Sequence, residues 1–326
     1  KASSTASIQF KDVRVPVDNL LGEPGDGFKI AMTILNYGRL GLGAASVGMM
    51  NQSVEDMVKR SSSRIQFGLP IQSFPLIQEK IVKAQVNGYV SSALDDFTAA
   101  LLDQNPTANV AIESSHCKLF GTTRGWDTLY DALQVAGGSG YLSTLPYEKR
   151  MRDFRVTTVF EGTTEIHSIY PALFMIRKIT RDLKNAHRSS ISRFFALIKD
   201  LFKRMDWPLK FEDKVMKKAS KAAKTNAARV RRMLILGIIF YGEKIAQKEF
   251  YLRKISTLSL YLFGLLAVLA KLKAENKEGT YDKEELELLK YFLLEAKKVR
   301  MQNTGIFDTK SEKLIGRIMK SLSGTS

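Results

Sequence analysis

Four long stretches, near 28–62, 75–103, 108–136 and 163–182, carry apolar residues three and four positions apart. Short runs of helix breakers part them: "FGLPIQSFP", "QNPT" and "GGSGY". Periodic segments of this length with short connections predict a helical bundle. Ahead of them, "ASIQFKDVRVPV" alternates apolar with polar residues as far as Pro16. It reads as a strand with Ile8, Phe10, Val13 and Val15 on its buried side. One strand is not a sheet, so it is expected to be the last strand of a domain outside this sequence. "NLLGEPGDGF" is a turn-rich connector. The predicted class is all-α with a short N-terminal β remnant.

Beyond about residue 183 the chain is again helical but rich in lysine, which predicts a second helical bundle. Asp282 with Glu285, and Thr309 with Glu312, have capping-box spacing and mark two helix starts, with Gly305 as a stop between those helices. Ile255 to Ala270 is sixteen residues without a charge, bounded by Lys254 and Lys271. A membrane-spanning helix needs about 20 predominantly apolar residues, and this run includes Ser256, Thr257, Ser259 and Gly264. It therefore reads as a buried helix.

Charge divides the chain. Residues 181–326 hold 32 Lys+Arg against 16 Asp+Glu, whereas residues 1–180 hold 18 against 17. Such asymmetry suggests two modules, the second facing something anionic or simply presenting a solvated basic surface. No basic stripe interleaved with aromatics and no nucleic-acid motif is present, so nucleic acid is not an expected partner. In "ISRFFALIKDLFKRMDW", a helical period puts Ile191, Phe194, Phe195, Ile198, Leu201, Phe202 and Met205 on one face. Arg193, Lys199, Lys203 and Arg204 fall on the other. This pattern fits attachment to an anionic membrane surface as well as docking on the rest of the protein. The single cysteine, Cys117, forbids an intrachain disulfide and fits a reducing compartment. His116, His167 and His187 lack metal-ligand spacing, and no metal is expected.

Four stretches carry chemistry unusual for a helical core. "LNYGRLG" sets Gly38 beside Arg39 within a long helix, where glycine costs about 1 kcal/mol relative to alanine. Either the helix kinks or something passes close to its backbone. "SSRIQFG" ends a helix with Arg64 and Phe67. "LQVAGGSGY" ends another with a Gly-Gly pair whose amides suit a phosphate or sugar. "RVTTVFEGTTEIH" sets Glu161 between an apolar run and small residues. Two roles fit that acid. It can cap a helix starting near Thr163, or serve as a base desolvated among Val159, Phe160 and Ile166.

These motifs, with "VRVPVDNLLGEPGDGF", "RMRDFRV" and "FEGTTEI", make residues 1 to about 180 resemble the acyl-CoA dehydrogenase family. The continuation into further helices resembles its very-long-chain branch, which includes a mitochondrial member with an assembly role. The resemblance implies this partition: 1–27, last strand and connector of the middle β-domain; 28–182, the flavin-dehydrogenase four-helix bundle; 183–210, a basic amphipathic linker helix; 211–326, a basic C-terminal helical domain.

It also implies a function: FAD-dependent α,β-dehydrogenation of a long-chain acyl-CoA to a trans-2-enoyl-CoA, with electrons passing to an electron-transfer flavoprotein. A non-catalytic scaffold or assembly factor on the same fold is the alternative. In the family pattern Glu161 is the catalytic base and Gly162 a substrate contact. Thr163, Thr164 and Glu165 touch FAD. Gln134, Val135, Ala136, Gly137 and Gly138 match the loop on its adenosine side across a subunit interface. Arg64 and Phe67 match a contact given to the neighbouring subunit's FAD, implying a homodimer or dimer of dimers. Asn36, Tyr37, Gly38 and Arg39 match the stretch lining the acyl-CoA site, where glycine at 38 is expected to leave room for a long chain.

Three departures stand out. Some branches place the base at the position that here is Gly38. Many members have a glutamine where this chain has Pro75. The N-terminal helical domain and most of the middle β-domain lie outside the sequence, so the chain is expected to be a C-terminal part, inactive alone. The implied location is cytoplasmic or inner-membrane-associated in a bacterium, and mitochondrial matrix or inner membrane in a eukaryote.

Overall fold

A computed structural model of the chain describes residues 4–187, 189–276, 281–305, 307 and 309–324. The periodic segments are helices: α1 is Gly27–Ser63, α2 Pro75–Gln104 and α3 Ala111–Ala136. Pro75 opens α2, where a missing N–H breaks no helical bond and a preset φ helps. A proline therefore fits at this position. Asn105 ends α2: its Oδ1 accepts from the Thr107 amide at 3.1 Å, and its carbonyl accepts from the Ala108 amide at 2.9 Å. Gly137 ends α3 at φ 66°, a backbone state that suits glycine. Between α1 and α2, β1 (Ile65–Gln66) and β2 (Leu69–Pro70) pair antiparallel. After α3 come a single turn, α4 (Gly138–Tyr141), then α5 (Tyr147–Phe154), a 3₁₀ turn at Arg155–Thr158, and α6 (Thr164–Ala186).

The chain divides into two compact units, Lys1–Thr164 and Glu165–Ser326. In the first, α1, α2 and α3 pack around Met50, Met57, Val86, Val90, Leu94, Phe120 and Leu129, all at most 2% exposed. Small residues bring α1 and α3 close: a β-carbon on Gly121 would meet Gly43 Cα and Ser46 Cβ, both at 3.2 Å. One acid packs beside this contact. Asp95 of α2 is buried against Gly43, where an added β-carbon would lie 3.0 Å from its Oδ2.

The second unit comprises the rest of α6 with α7 (Ser190–Phe202), α8 (Lys214–Tyr241), α9 (Glu249–Glu275), α10 (Lys283–Gln302) and α11 (Lys310–Ser323). Side chains cap several starts. Asp213 accepts from the Val215 and Met216 amides, Asp282 from the Glu284 amide, and Thr309 with Glu312 closes a full capping box. Pro171 interrupts α6, and the neighbouring Ala172 N–H donates to Ser256 Oγ of α9 at 3.2 Å. Among the described residues one helix, α9, is long and apolar enough to cross a membrane, but 72% of its apolar window is buried within the protein. Leu252, Ile255, Leu258, Leu265 and Val268 are fully covered, as a core helix requires.

Two expectations change. The strand anticipated over Ile8 to Val15 is not formed, and those apolar side chains are 60–78% exposed. Alternation alone cannot make a strand, because its backbone groups need a neighbouring edge and no described residue supplies one. The helix anticipated to reach Trp207 stops at Phe202. There the Lys203 carbonyl accepts from Arg231, and Trp207 Nε1 donates to Ser220 Oγ at 2.9 Å.

Asp95 makes the first unit sensitive to pH. Burial pushes its carboxyl from 3.8 to about 7; the Cys117 thiol opposes this shift and Asp96 adds to it. Between those values the folded chain holds a proton that the unfolded chain has released. Stability therefore falls by roughly 1.4 kcal/mol per pH unit across the window and levels off above it. Asp95→Asn should flatten the profile, matching the parent near pH 4 and exceeding it near pH 8. Urea denaturation across this range checks it, and a flat parent profile would contradict it.

Candidate functional site

The loop between the 3₁₀ turn and α6 holds Glu161 at φ 55° and Gly162 at φ 102°. A left-handed conformation is uncommon for glutamate, and it persists only where surroundings over-determine it. Here two buried cations hold successive carbonyls. Arg39 Nε of α1 donates to the Glu161 carbonyl at 3.4 Å, and Lys118 Nζ of α3 donates to the Gly162 carbonyl at 2.6 Å. Arg39 is 5% exposed and Lys118 0%. Arg39 Nη1 also donates to Asn36 Oδ1 at 3.1 Å, which ties Asn36 to the same cluster.

The Glu161 carboxylate lies on the α1 backbone at Gly38. A β-carbon there would sit 2.7 Å from Oε2 and closer still to Oε1. The space left by glycine is thus filled by the acid itself. Val159, Phe160 and Ile166, expected to desolvate the carboxylate, are 50%, 39% and 49% exposed. Its cover comes instead from α1. The capping role does not fit this position either, because α6 starts at Thr164 and the carboxylate is directed to another helix.

Tyr37, next to Gly38 in sequence, turns elsewhere and donates to the Pro106 carbonyl at 3.1 Å. Thr163, Thr164 and Glu165 form the approach to α6, and Thr164 Oγ1 donates to the Thr158 carbonyl at 3.3 Å. Lys118 was not among the residues that the sequence suggested. Its one signal is a lysine amid small and apolar neighbours in "ESSHCKLFG", which does not distinguish a buried lysine from a surface one.

A second cluster lies elsewhere in the first unit. Arg64 and Phe67, from the end of α1 and the hairpin, share a cavity of about 460 Å³ with Gln134, Val135, Ala136, Gly137 and Gly138 at the end of α3. The structure thus brings together two motifs seventy residues apart, while Thr163, Thr164, Glu165 and Glu161 do not line this cavity. Phe67 and Gly68 form the two-residue turn of the hairpin with φ 52° and 80°. Such turns favour Asn or Gly. The phenylalanine is 93% exposed and meets Phe74 edge-on at 6.1 Å. A strained, displayed ring beside an arginine and a Gly-Gly turn can stack on a planar group while the cation and amides hold an anion. Among the described residues no group of His, Cys, Asp and Glu could hold a metal.

Residues 25–170 match the family described as acyl-CoA dehydrogenase, C-terminal domain. The mitochondrial very long-chain specific acyl-CoA dehydrogenase of Bos taurus is 28% identical over 99% of this chain and 51% of its own length. Its Macaca fascicularis counterpart is 40% identical over 53% of this chain and 26% of its own length. An acyl-CoA dehydrogenase from Bacillus anthracis, solved complexed with FAD, superposes with a TM-score of 0.78 at 24% identity. It covers 97% of this chain and 56% of that one, and establishes a shared fold. The chain spans about half the length of the curated relative matched along its whole extent.

Proposed function

We propose that this chain, whose residues 25–170 match the acyl-CoA dehydrogenase C-terminal domain, belongs to that family and is the C-terminal part of an enzyme that dehydrogenates a long-chain acyl-CoA to the trans-2-enoyl-CoA. The observation carrying this reading is the Glu161 carboxylate, set on the backbone of Gly38 by a left-handed residue whose loop carbonyls are held by Arg39 and Lys118. A carboxylate so placed can take the α-proton of a thioester, and a positioned base is what that weakly acidic proton needs. Arg39 orders Asn36 beside it. The scaffold alternative gives no reason for a strained acid held by two buried cations.

The second cavity fits FAD in composition: arginines for a diphosphate, a Gly-Gly turn that lets a ligand approach the backbone, and the exposed Phe67 face for a flat ring. Bound FAD supplies the acceptor for the β-hydrogen, which leaves as hydride. In this reading Thr163, Thr164 and Glu165 touch the cofactor of their own subunit, and Arg64, Phe67 and the 134–138 turn touch that of a second copy. This explains two separated clusters on one chain and implies a homodimer or dimer of dimers. An electron-transfer flavoprotein is the proposed acceptor. The bovine and macaque relatives are named mitochondrial, so a eukaryotic source would place the protein in the matrix or on the inner membrane. The division at 27/28, 182/183 and 210/211 is retained as the proposed domain organisation.

Glu161→Gln in the full-length protein should keep FAD and acyl-CoA binding while turnover falls on the order of 10²–10⁴-fold. Near-parental turnover would refute the base. Gly38→Ala separates two uses of the space at Gly38. Alanine normally stabilises a helix interior over glycine by about 0.5–1 kcal/mol, and Gly41→Ala is the control, since nothing lies within 4 Å of a β-carbon there. The flexible carboxylate must swing away from the added methyl, so Gly38→Ala should melt like the control yet lose turnover equally on short and long acyl-CoAs. A loss confined to long chains would assign the space to the acyl tail.

Helix α7 supports peripheral attachment to an anionic membrane. Leu197 is buried, but Ile191, Phe194, Phe195 and Phe202 are 47–80% exposed beside Arg193, Lys199 and Lys203. Each cation near such a surface adds about 1 kcal/mol. Flotation with anionic liposomes should carry the protein at low salt and release it at high salt. Phe194→Asp with Phe202→Asp should abolish flotation with the melting temperature unchanged, whereas unfolding would mark α7 as core.

A further inference from the structure

The cavity shared by α1 and the end of α3 contains a second arginine that the family resemblance did not assign. Arg60 lies one helical turn before Arg64 and lines the same cavity. Its Nη2 donates to the Ala136 carbonyl and to Ser139 Oγ, both at 3.4 Å. These two acceptors flank the Gly137–Gly138 pair. Its Nε is buried and makes no hydrogen bond among the described residues. Arg60 is only partly exposed, while Arg64 projects to solvent.

Two like charges at the end of one helix and lining one cavity repel, and an acid nearby would offset them. Here the nearest candidate, Asp56, one turn earlier, is already paired with Arg150. No described carboxylate stands within ion-pair distance of Arg60 or Arg64. Asp131, the other acid near this end of α3, is paired with Lys80. The local acids are thus committed, and the two guanidinium groups are left facing a cavity with a Gly-Gly turn. A half-buried guanidinium with an unsatisfied N–H retains a strong preference for an anion.

We propose that Arg60 is a positioning and anion-binding residue of this cavity, and that Arg60 and Arg64 form a two-arginine clamp for the diphosphate of a bound dinucleotide. Arg60 has two tasks. Its Nη2 ties Ala136 to Ser139 and so fixes the turn between them, with Gly137 at φ 66°. Its charge, one turn deeper than Arg64, completes the field for a second negative group. The geometry separates the roles: the exposed Arg64 can adapt to the ligand, whereas Arg60 is held in place before it arrives. Ser139 is the polar stop that keeps Arg60 at the turn. This inference rests on the reading of the cavity as an FAD site.

The test uses the full-length protein, stripped of flavin and titrated with FAD and, separately, with FMN, at several salt concentrations. The variants are Arg60→Met, Arg60→Lys, Arg64→Met and Ser139→Ala. A charge-assisted hydrogen bond corresponds to roughly a 10- to 100-fold change in affinity. Arg60→Met should weaken FAD by that factor and flatten its salt dependence, while FMN, lacking the diphosphate, binds as to the parent. Arg60→Lys, which keeps charge but not the fork, should recover part of the loss, and Ser139→Ala should give a smaller one. If Arg60→Met weakens FMN and FAD alike, the residue is merely structural and the clamp is refuted. If Arg64→Met weakens FAD and Arg60→Met does not, the clamp is refuted but the FAD reading stands. If the parent binds no FAD, the functional reading itself fails.

Discussion

Helix α1 has no side chain at two places where carboxylates from elsewhere need its surface. At Gly38 the backbone receives Glu161, and at Gly43, five residues on, it receives Asp95. A β-carbon at either place would meet an acid, so two glycines that weaken the helix locally are what let these carboxylates rest on its backbone. Their consequences differ because their neighbours differ. Glu161 sits on a loop whose carbonyls are bound by Arg39 and Lys118. Asp95 sits between packed helices, and burial raises its affinity for a proton. One arrangement fixes a carboxylate on a helix backbone, and the other keeps a proton in the core.

The long helices were legible because their period repeats over many turns and their breakers have known chemistry. Pro75, Asn105 and Gly137 stop or start helices where backbone rules place them. Glu161 was legible as a motif, but its surroundings were not. The residues beside it in sequence, Val159, Phe160 and Ile166, leave it uncovered, and the contact that matters comes from Gly38, more than a hundred residues earlier. Lys118 and Arg60 escaped for a related reason. A buried lysine bound to a carbonyl, or an arginine turned to a glycine pair, differs from a surface cation only in its three-dimensional neighbours. The missing strand is the opposite case, in which the local pattern was present and the partner edge was not.

Phe67 shows how a strained turn depends on the helix end it leaves. A hairpin of two residues per strand is too short to be stable alone, and its turn puts a phenylalanine where glycine or asparagine would fit with less strain. The Ile71 amide donates to the Arg64 carbonyl at 2.9 Å, closing the hairpin onto the end of α1. The hairpin therefore inherits its rigidity from the helix that carries Arg60 and Arg64. A ring displayed on so short a turn can hold its position only because that helix end is fixed, so cation and aromatic are set by one element.

The second unit handles charge differently. In its core, Lys254 meets Glu312 at 2.8 Å with both side chains mostly covered, which joins the start of α11 to α9. Some of its other acids are paired locally, as Glu275 with Lys271 and Glu287 with Lys290. Residues 181–326 nonetheless carry twice as many cations as anions. Local pairing cannot neutralise that excess, and exposed pairs contribute little to stability in any case. The surplus therefore acts through its field, over about 10 Å at ordinary ionic strength. Such a field leaves the fold to α8, α9 and α10 and governs which surfaces the unit meets and how strongly salt interferes. Core contacts decide the shape of this unit, and the unpaired lysines and arginines decide its company.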